Sequence, residues 1–339
     1  MPNLKTLIIS EIGSVHDGSF GNALKLIELA AACGADVVKF QTHLPDAETL
    51  PNAPSPSYFK GEPRMDYFRR TGFSLGQWRE LKSQAEACKV NFISSPFSIE
   101  AVDLLEEVGV AFYKVPSGEV TNIPLLEKIA ATGRPAILSS GMNDWAELDQ
   151  AVDVLRGGGG LTLMQCSSAY PCPPERVGLN VLDEMRERYG LPVGLSDHTR
   201  GLAATVAAVA RGAVMVEKHL TFHRGMYGSD AKNSAEPYEF QAMVEAIRAV
   251  EVMLANPVDK DDLGDYGEMK SIFEKSLVAA ADLKAGTRLE RKHLTFKKPG
   301  DGIRASEYSQ WLGCILANDV RGNTQLSPED FERTEKYVS

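Results

Sequence analysis

Eight times along its 339 residues this chain makes a short apolar run that stops abruptly in polar residues. The runs are Leu4–Gly13, Asp36–His43, Val90–Phe97, Ala111–Glu119, Ala136–Met142, Leu161–Pro171, Val193–Thr199 and Met215–Thr221. Between most of them lie segments with apolar residues at helical spacing, among them Gly21–Cys33, Trp78–Cys88, Ile99–Val108, Trp145–Arg156 and Arg200–Ala213. A last helix is expected over about Tyr238–Leu254. Strand alternating with helix over about 250 residues is the size and rhythm of a (β/α)8 TIM barrel. A doubly wound open sheet is the competitor. It uses fewer strands and a glycine-rich nucleotide turn after the first, and Glu11-Ile-Gly is not such a turn.

In a parallel α/β protein the carboxyl ends of the strands share one face, where active sites are built. That face would gather Glu11, Lys39, Gln41, Ser95, Lys114, Ser117, Glu119, Ser139, Ser168, Tyr170, Ser196, Asp197, His198 and His219. Barrel interiors are filled by Val, Ile and Leu, so packing does not explain this set. Taken singly, each serine reads equally well as a loop or cap residue. His198 and His219 end neighbouring strands, which sets two imidazoles side by side for a divalent cation; either alone reads as an ordinary surface or core histidine. Lys39 and Lys114 follow apolar strand residues, and a buried ammonium needs an anion. Two lysines with several hydroxyls suit a phosphate and a carboxylate. The bland alternative is an ion pair with Glu11 or Glu119, and a Schiff-base lysine is a further one. A metal held by two histidines keeps positions open for substrate oxygen and can polarise a carbonyl, while Glu11 and Glu119 could move protons. The residues alone thus reach a metal-assisted addition to a phosphorylated or carboxylated small molecule.

A net charge of −10 argues against nucleic acid as a partner, so an anionic substrate must be held by local cations. No apolar run reaches membrane-spanning length and the N-terminus has no secretory signal pattern. Five cysteines (Cys33, Cys88, Cys166, Cys172 and Cys314), an odd number with no close metal-type spacing beyond a lone Cys166/Cys172, fit reduced thiols and a cytoplasmic location. Residues 1–256 are expected to form the barrel, 257–275 an acidic linker, and 276–339 a small β-rich domain with tight turns. Pro45 to Arg64 reads as a long loop on the active-site side, with a short helical piece at Phe68–Arg70. Tyr58-Phe-Lys and Tyr67-Phe-Arg-Arg read as packed loop, or as lining of the mouth.

The segments Glu11-Ile-Gly-Ser-Val-His16-Asp-Gly, Val38-Lys-Phe-Gln41-Thr, Phe92-Ile-Ser-Ser-Pro-Phe, Tyr113-Lys-Val-Pro-Ser-Gly-Glu119, Leu138-Ser-Ser-Gly-Met142, Gly194-Leu-Ser-Asp-His198-Thr and Glu217-Lys-His219 resemble, in order, the N-acetylneuraminate (sialic acid) synthase family. Lys298-Pro-Gly-Asp-Gly resembles that family's antifreeze-like (β-clip) domain. The resemblance implies condensation of phosphoenolpyruvate with an N-acylated amino-sugar aldehyde, giving a nine-carbon 2-keto acid and phosphate. It implies that Lys39, Ser95, Lys114, Ser117, Ser139 and Ser196 hold phosphoenolpyruvate. His198 and His219 would bind Mn2+, or Mg2+ or Co2+. Gln41, Glu119, Tyr170 and Asp230 would contact the sugar, Ser168 and Lys298 would add substrate contacts, and Glu11 would place or deprotonate the water that attacks C2. A domain-swapped homodimer is also implied.

The chain departs from the family where Val15 and Ser168 stand for Asn, Pro116 for Gly, Ser229 for Pro, and Lys298 for an arginine that reaches the acyl group. Lysine lacks the planar two-pronged contact of arginine. The acceptor is therefore open among N-acetylmannosamine and the precursors of legionaminate, pseudaminate, the deaminated acid and spore-coat-type sugars. The rival readings are a Schiff-base aldolase using Lys114, a carbohydrate-binding protein, and a catalytically dead relative.

Overall fold

The computed structural model describes residues 5–54 and 62–332. Tyr58-Phe-Lys lies outside them. The chain divides into two compact units, Met1–Pro257 and Val258–Ser339.

The first unit is a closed, all-parallel barrel of eight strands in sequential order. They are β1 (Leu7–Gly13), β2 (Val37–Thr42), β3 (Asn91–Pro96), β4 (Tyr113–Val115), β5 (Ala136–Ser139), β6 (Leu161–Cys166), β7 (Val193–Asp197) and β8 (Met215–His219). β8 closes on β1 with Leu7 opposite Met215 and Glu11 opposite His219. Side chains alternate between two faces along a strand, and the two faces are filled differently. Ile8, Val38, Phe40, Phe92, Tyr113, Leu138, Leu163, Leu195 and Val216 join the main core, packed with helical residues such as Leu26, Leu81, Leu105 and Ile129. Inside the barrel, Ile9, Val37, Ile93, Ile137 and Met164 form a separate apolar plug with Leu7, Phe112 and Met215 against it. Two residues further along each strand the inward positions become Glu11, Lys39, Ser95, Lys114, Ser139, Cys166, Ser196 and Glu217. One layer of hydrocarbon is followed by one layer of polar groups.

The surrounding helices start where a side chain can cap them. Ser19, Ser74, Ser98, Asn122 and Asp144 each accept a backbone N–H at helix starts, and Ser74 and Asp144 form capping boxes with Gln77 and Glu147. The last helix of the unit spans Pro237–Ala255.

Three local expectations change. Ser117–Glu119 is a 3-10 turn after Pro116, because proline ends the ladder that the apolar run suggested. The long second loop carries two helices, Pro45–Glu48 and Arg64–Thr71, the second burying Tyr67, Phe68 and Thr71. The expected linker contains a helix, Tyr266–Phe273, with no buried residue.

The second unit pairs β9 (Ser276–Ala279) antiparallel with β10 (Leu294–Lys297). Short bridges such as Leu283 with Val320 and Val278 with Gln325 extend it. Its own small core comprises Leu277, Leu283, Leu289, Leu294, Ile303, Trp311, Leu316, Val320, Leu326 and Phe331. No helix of the described residues is long and apolar enough to cross a membrane.

Candidate active site

At the carboxyl ends of the strands lies a cavity of about 610 Å³. Every site residue expected from the sequence lines it except Asp197 and Lys298. Lys298 belongs to the second unit, where its Nζ lies 4.4 Å from the ring centroid of Phe273.

The floor is a buried charge cluster. Lys39 Nζ donates to Glu217 Oε1 at 3.0 Å and stands 3.4 Å from Glu11 Oε2. Lys114 Nζ lies 3.3 and 3.2 Å from the two oxygens of Glu217, and Ser196 Oγ donates to Glu217 Oε1 at 3.1 Å. Lys39, Lys114, Glu11 and Glu217 are at most 4% exposed. The expected structural ion pair thus exists for Lys39 and Glu11, but Glu217 is the shared counter-ion. Glu119 takes no part; its Oε2 accepts from Asn122 at 2.8 Å, and burial raises its carboxyl above the ordinary value.

Burial alone would depress both ammonium groups. For Lys39 the carboxylates of Glu11 and Glu217 outweigh it and raise the group, whereas Lys114 stays below its ordinary value because Lys39 adds repulsion. The two lysines act together on Glu217, which is held far below the carboxylate range against the effect of its burial. Burial pushes Glu11 up to about 7, with Lys39 opposing and Glu217 reinforcing. Glu11 is therefore poised to exchange a proton near neutrality.

The histidine pair stands above this floor, ring centroids 5.5 Å apart. His198 Nδ1 donates to the carbonyl of Ser167 at 3.0 Å, which leaves Nε2 with its lone pair. His219 Nδ1 is buried without a hydrogen-bond partner. Burial lowers His219 to about 4, so its ring is neutral and can ligate. Among the described residues no third His, Cys, Asp or Glu joins them as a ligand group. The pair fits a divalent cation that keeps most of its positions for substrate and water. The Tyr170 ring packs 4.1 Å from that of His198. Asp230 approaches from the loop after β8; its Oδ2 accepts from the backbone and hydroxyl of Ser14, both at 2.9 Å. Gly13 is required beside it, since φ is +52° and a Cβ there would stand 2.4 Å from Asp230 Oδ2. Gly141 likewise gives room to the hydroxyls of Ser168 and Ser117, 2.4 and 2.8 Å from where its Cβ would be.

Buried polar atoms normally find partners. Here Glu11 Oε2, Ser95 Oγ, Ser139 Oγ, Glu217 Oε2 and His219 Nδ1 have no hydrogen bond, and all five belong to residues lining the one cavity. They are donors and acceptors prepared for a ligand.

Asp197 turns away. It pairs with Lys218 behind the sheet, Nζ to Oδ2 at 2.6 Å, and accepts from Thr199. Glu217, His43, Arg64, Phe68, Phe97 and Met142 line the cavity without having been singled out as site residues. For Glu217 the signal was present: two positions before His219 on a strand puts it on the same face, and two lysines need an anion.

The NeuB family model matches residues 26–259 and the SAF domain model residues 274–332. The chain is 37% identical over 326 residues to the N,N'-diacetyllegionaminic acid synthase of Campylobacter jejuni, covering 94% of this chain and 97% of the relative. It is 36% identical over 296 residues to the human N-acetylneuraminate-9-phosphate synthase, covering 86% and 82%. The N-acetylneuraminic acid synthetase of Leptospira borgpetersenii, solved with citrate, superposes with a TM-score of 0.69 at 29% identity, covering 79% of this chain and 91% of that one. A family match over most of the barrel, with relatives aligned across nearly the whole chain, makes this protein a member of the NeuB family carrying a C-terminal SAF domain.

Proposed function

We propose that the protein is a nonulosonic acid synthase that condenses phosphoenolpyruvate with an N-acylated amino-sugar aldehyde and releases phosphate. The observation that carries this reading is the set of unpartnered polar atoms around two buried lysines in one cavity. Lys39 and Lys114 supply positive charge for phosphate and carboxylate, and Ser95, Ser117, Ser139 and Ser196 supply hydroxyl donors. Gln41, Glu119, Tyr170 and Asp230 surround the remaining volume, where the sugar would lie, and Ser168 stands beside Ser117 at Gly141. His198 and His219 would hold a divalent cation, Mn2+ in our reading, which when bound polarises the aldehyde oxygen. C3 of phosphoenolpyruvate bonds to the aldehyde carbon as its C2–C3 double bond opens, and the aldehyde oxygen takes a proton to become a hydroxyl; water adds to C2 and Glu11 takes the water proton. The C2–O bond to phosphate then breaks as the new C2 hydroxyl gives up its proton, leaving the 2-keto acid and inorganic phosphate. The relatives' names leave legionaminic and N-acetylneuraminic acceptors both in view. Lys298 would contact substrate only through the second unit, as a domain-swapped dimer would allow.

The test is phosphate release from phosphoenolpyruvate with Mn2+ across N-acetylmannosamine, mannose and diacetylated 6-deoxy sugars, with and without EDTA. Metal-dependent release with one sugar is expected. EDTA-resistant turnover, together with borohydride trapping of pyruvate on Lys114, would replace this reading by a Schiff-base aldolase. Phosphoenolpyruvate binding without turnover on any sugar would mark an inactive relative.

A further inference from the structure

His43 stands just past β2 and its side chain is 9% exposed. Its ring lies between two phenylalanines from separate loops, with centroids 3.7 Å from Phe68 at 23° and 4.0 Å from Phe97 at 20°. Phe68 comes from the helix Arg64–Thr71 and Phe97 directly follows β3. Parallel stacking on both faces leaves the ring free to rotate only within its own plane. Both nitrogens face oxygen acceptors, so each must carry a hydrogen for both contacts to be hydrogen bonds: Nδ1 is 2.8 Å from Glu48 Oε1, and Nε2 is 3.2 Å from Gln41 Oε1. Glu48 is itself fixed, accepting from the backbone of Leu44 at 3.2 Å.

An amide can be turned through 180° with little change of shape, exchanging its donor for its acceptor. At Gln41 the two ends face different partners. Oε1 accepts from His43, and Nε2 donates to Glu11 Oε1 at 2.7 Å. In the reversed orientation a carbonyl oxygen would face the Glu11 carboxylate. The His43 N–H therefore decides which end of Gln41 meets Glu11. Glu11 has few other restraints, since its second oxygen has only Lys39 at 3.4 Å and no hydrogen bond.

We infer that His43 is a positioning residue for the reaction: clamped between Phe68 and Phe97 and anchored by Glu48, it locks the Gln41 amide so that Glu11 is held in its working orientation. This rests on the role given to Glu11 under the proposed function. His43 touches neither the lysines nor the histidine pair in the contacts seen here, so its effect reaches Glu11 through Gln41. Chains of hydrogen bonds of this kind couple their members beyond the sum of pairs.

The informative variant is His43→Phe, which keeps an aromatic ring between Phe68 and Phe97 and removes both nitrogens. With the sugar that supports wild-type turnover, kcat should fall roughly tenfold or more while KM for phosphoenolpyruvate stays within about twofold. His43→Gln, whose amide nitrogen can reach the place of Nε2, should recover part of the loss. In a Gln41→Leu background His43→Phe should change kcat by less than about twofold, because the link it acts through is already gone. A purely structural histidine would instead give additive losses and no rescue by glutamine. Equal kcat in His43→Phe and wild type, or full additivity with Gln41→Leu, overturns the inference. Lack of wild-type turnover would count against the proposed function instead. The same three variants then give an answer by thermal unfolding, where additive shifts in Tm for His43→Phe and Gln41→Leu would overturn the link and a non-additive double variant would support it.

Discussion

Two buried ion clusters sit back to back on β7 and β8, and they are built to opposite ends. Asp197 and Lys218 are register partners whose side chains point out of the barrel. Their valences are closed: Lys218 Nζ donates to Asp197 Oδ2 and to the carbonyl of Thr199 at 2.8 Å, while both Asp197 oxygens accept from Thr199. Ser196 and Glu217, the neighbouring register pair, point inward. There Glu217 Oε2 lacks a hydrogen bond, as do Glu11 Oε2, Ser95 Oγ and Ser139 Oγ around it. The same residue types at similar burial thus make a self-satisfied latch on one face and, on the other, the cluster with open valences that we propose holds an anion. What separates them is whether the protein itself completes the hydrogen bonds. Unfilled valence in a buried cluster marks function better than charge or burial does.

The comparison is sharpest for the lysines. If Lys114 acts on phosphoenolpyruvate as proposed, Lys114→Met should lower kcat/KM by roughly 10³-fold, about 4 kcal/mol, because it removes a charge aimed at the transition state. Stability should change by less than about 1 kcal/mol, since Glu217 keeps Lys39 and Ser196 and the lost ammonium was one that burial and Lys39 already disfavoured. A large drop in Tm without loss of phosphoenolpyruvate binding would erase the distinction between the two clusters.

The converse variant is Asp197→Ala. It leaves the Lys218 ammonium buried with one carbonyl, and breaking such a pair costs about 3 kcal/mol or more. Denaturant unfolding should show that loss, whereas phosphoenolpyruvate affinity in the folded fraction should stay within a few-fold. Unchanged stability would mean that the latch contributes nothing.

The outline of both regions could be read in the sequence, and the division of labour between them could not. Apolar runs ending in polar residues locate the strand ends, so the barrel and fourteen of the sixteen expected site residues, all but Asp197 and Lys298, meet in one cavity. Asp197 was placed on the active face because it lies between Ser196 and His198, although strand alternation sends it the other way. Glu217 was passed over for the mirror-image reason. His43, Glu48 and Phe68 lie in the long segment after β2 and Phe97 follows β3, and nothing in the spacing of the two phenylalanines brings them to His43. The 3-10 turn at Ser117–Glu119 differs from the expected strand because backbone chemistry at Pro116 overrides an apolar pattern.

Proton exchange offers a subtler contrast. Asp197 is met by an ammonium and hydroxyl and amide donors, whereas Glu11 is raised to about 7 by burial that Lys39 only partly offsets. A carboxyl raised in this way is protonated below about pH 7 and becomes a base above it. If Glu11 accepts the water proton, kcat/KM, which reports the free enzyme, should be level above about pH 7 and fall close to tenfold by about pH 6. Glu11→Gln should be slow throughout and should remove that limb. A limb that persists in Glu11→Gln would assign it to another group.

The smallest expected effect bears most directly on the idea of unfilled valence. Ser139 Oγ is buried and unpartnered, so Ser139→Ala removes a hydroxyl whose desolvation is uncompensated in the ligand-free protein. The variant should be as stable as wild type or slightly more so, by up to about 1 kcal/mol. Affinity for phosphoenolpyruvate should fall by roughly tenfold, the worth of one hydrogen bond to a charged group. Thr205→Val, in the helix Ala203–Ala210, is the control: its hydroxyl already donates to the carbonyl of Leu202 at 2.8 Å, so a loss there should appear in stability and leave binding alone. Site-directed variants measured by calorimetry for binding and by thermal unfolding for stability would place the two hydroxyls on opposite axes. If Ser139→Ala lost stability and kept its affinity, the orphaned groups of the cavity would be structural imperfections, and the distinction drawn between filled and unfilled valence would fail at its simplest member.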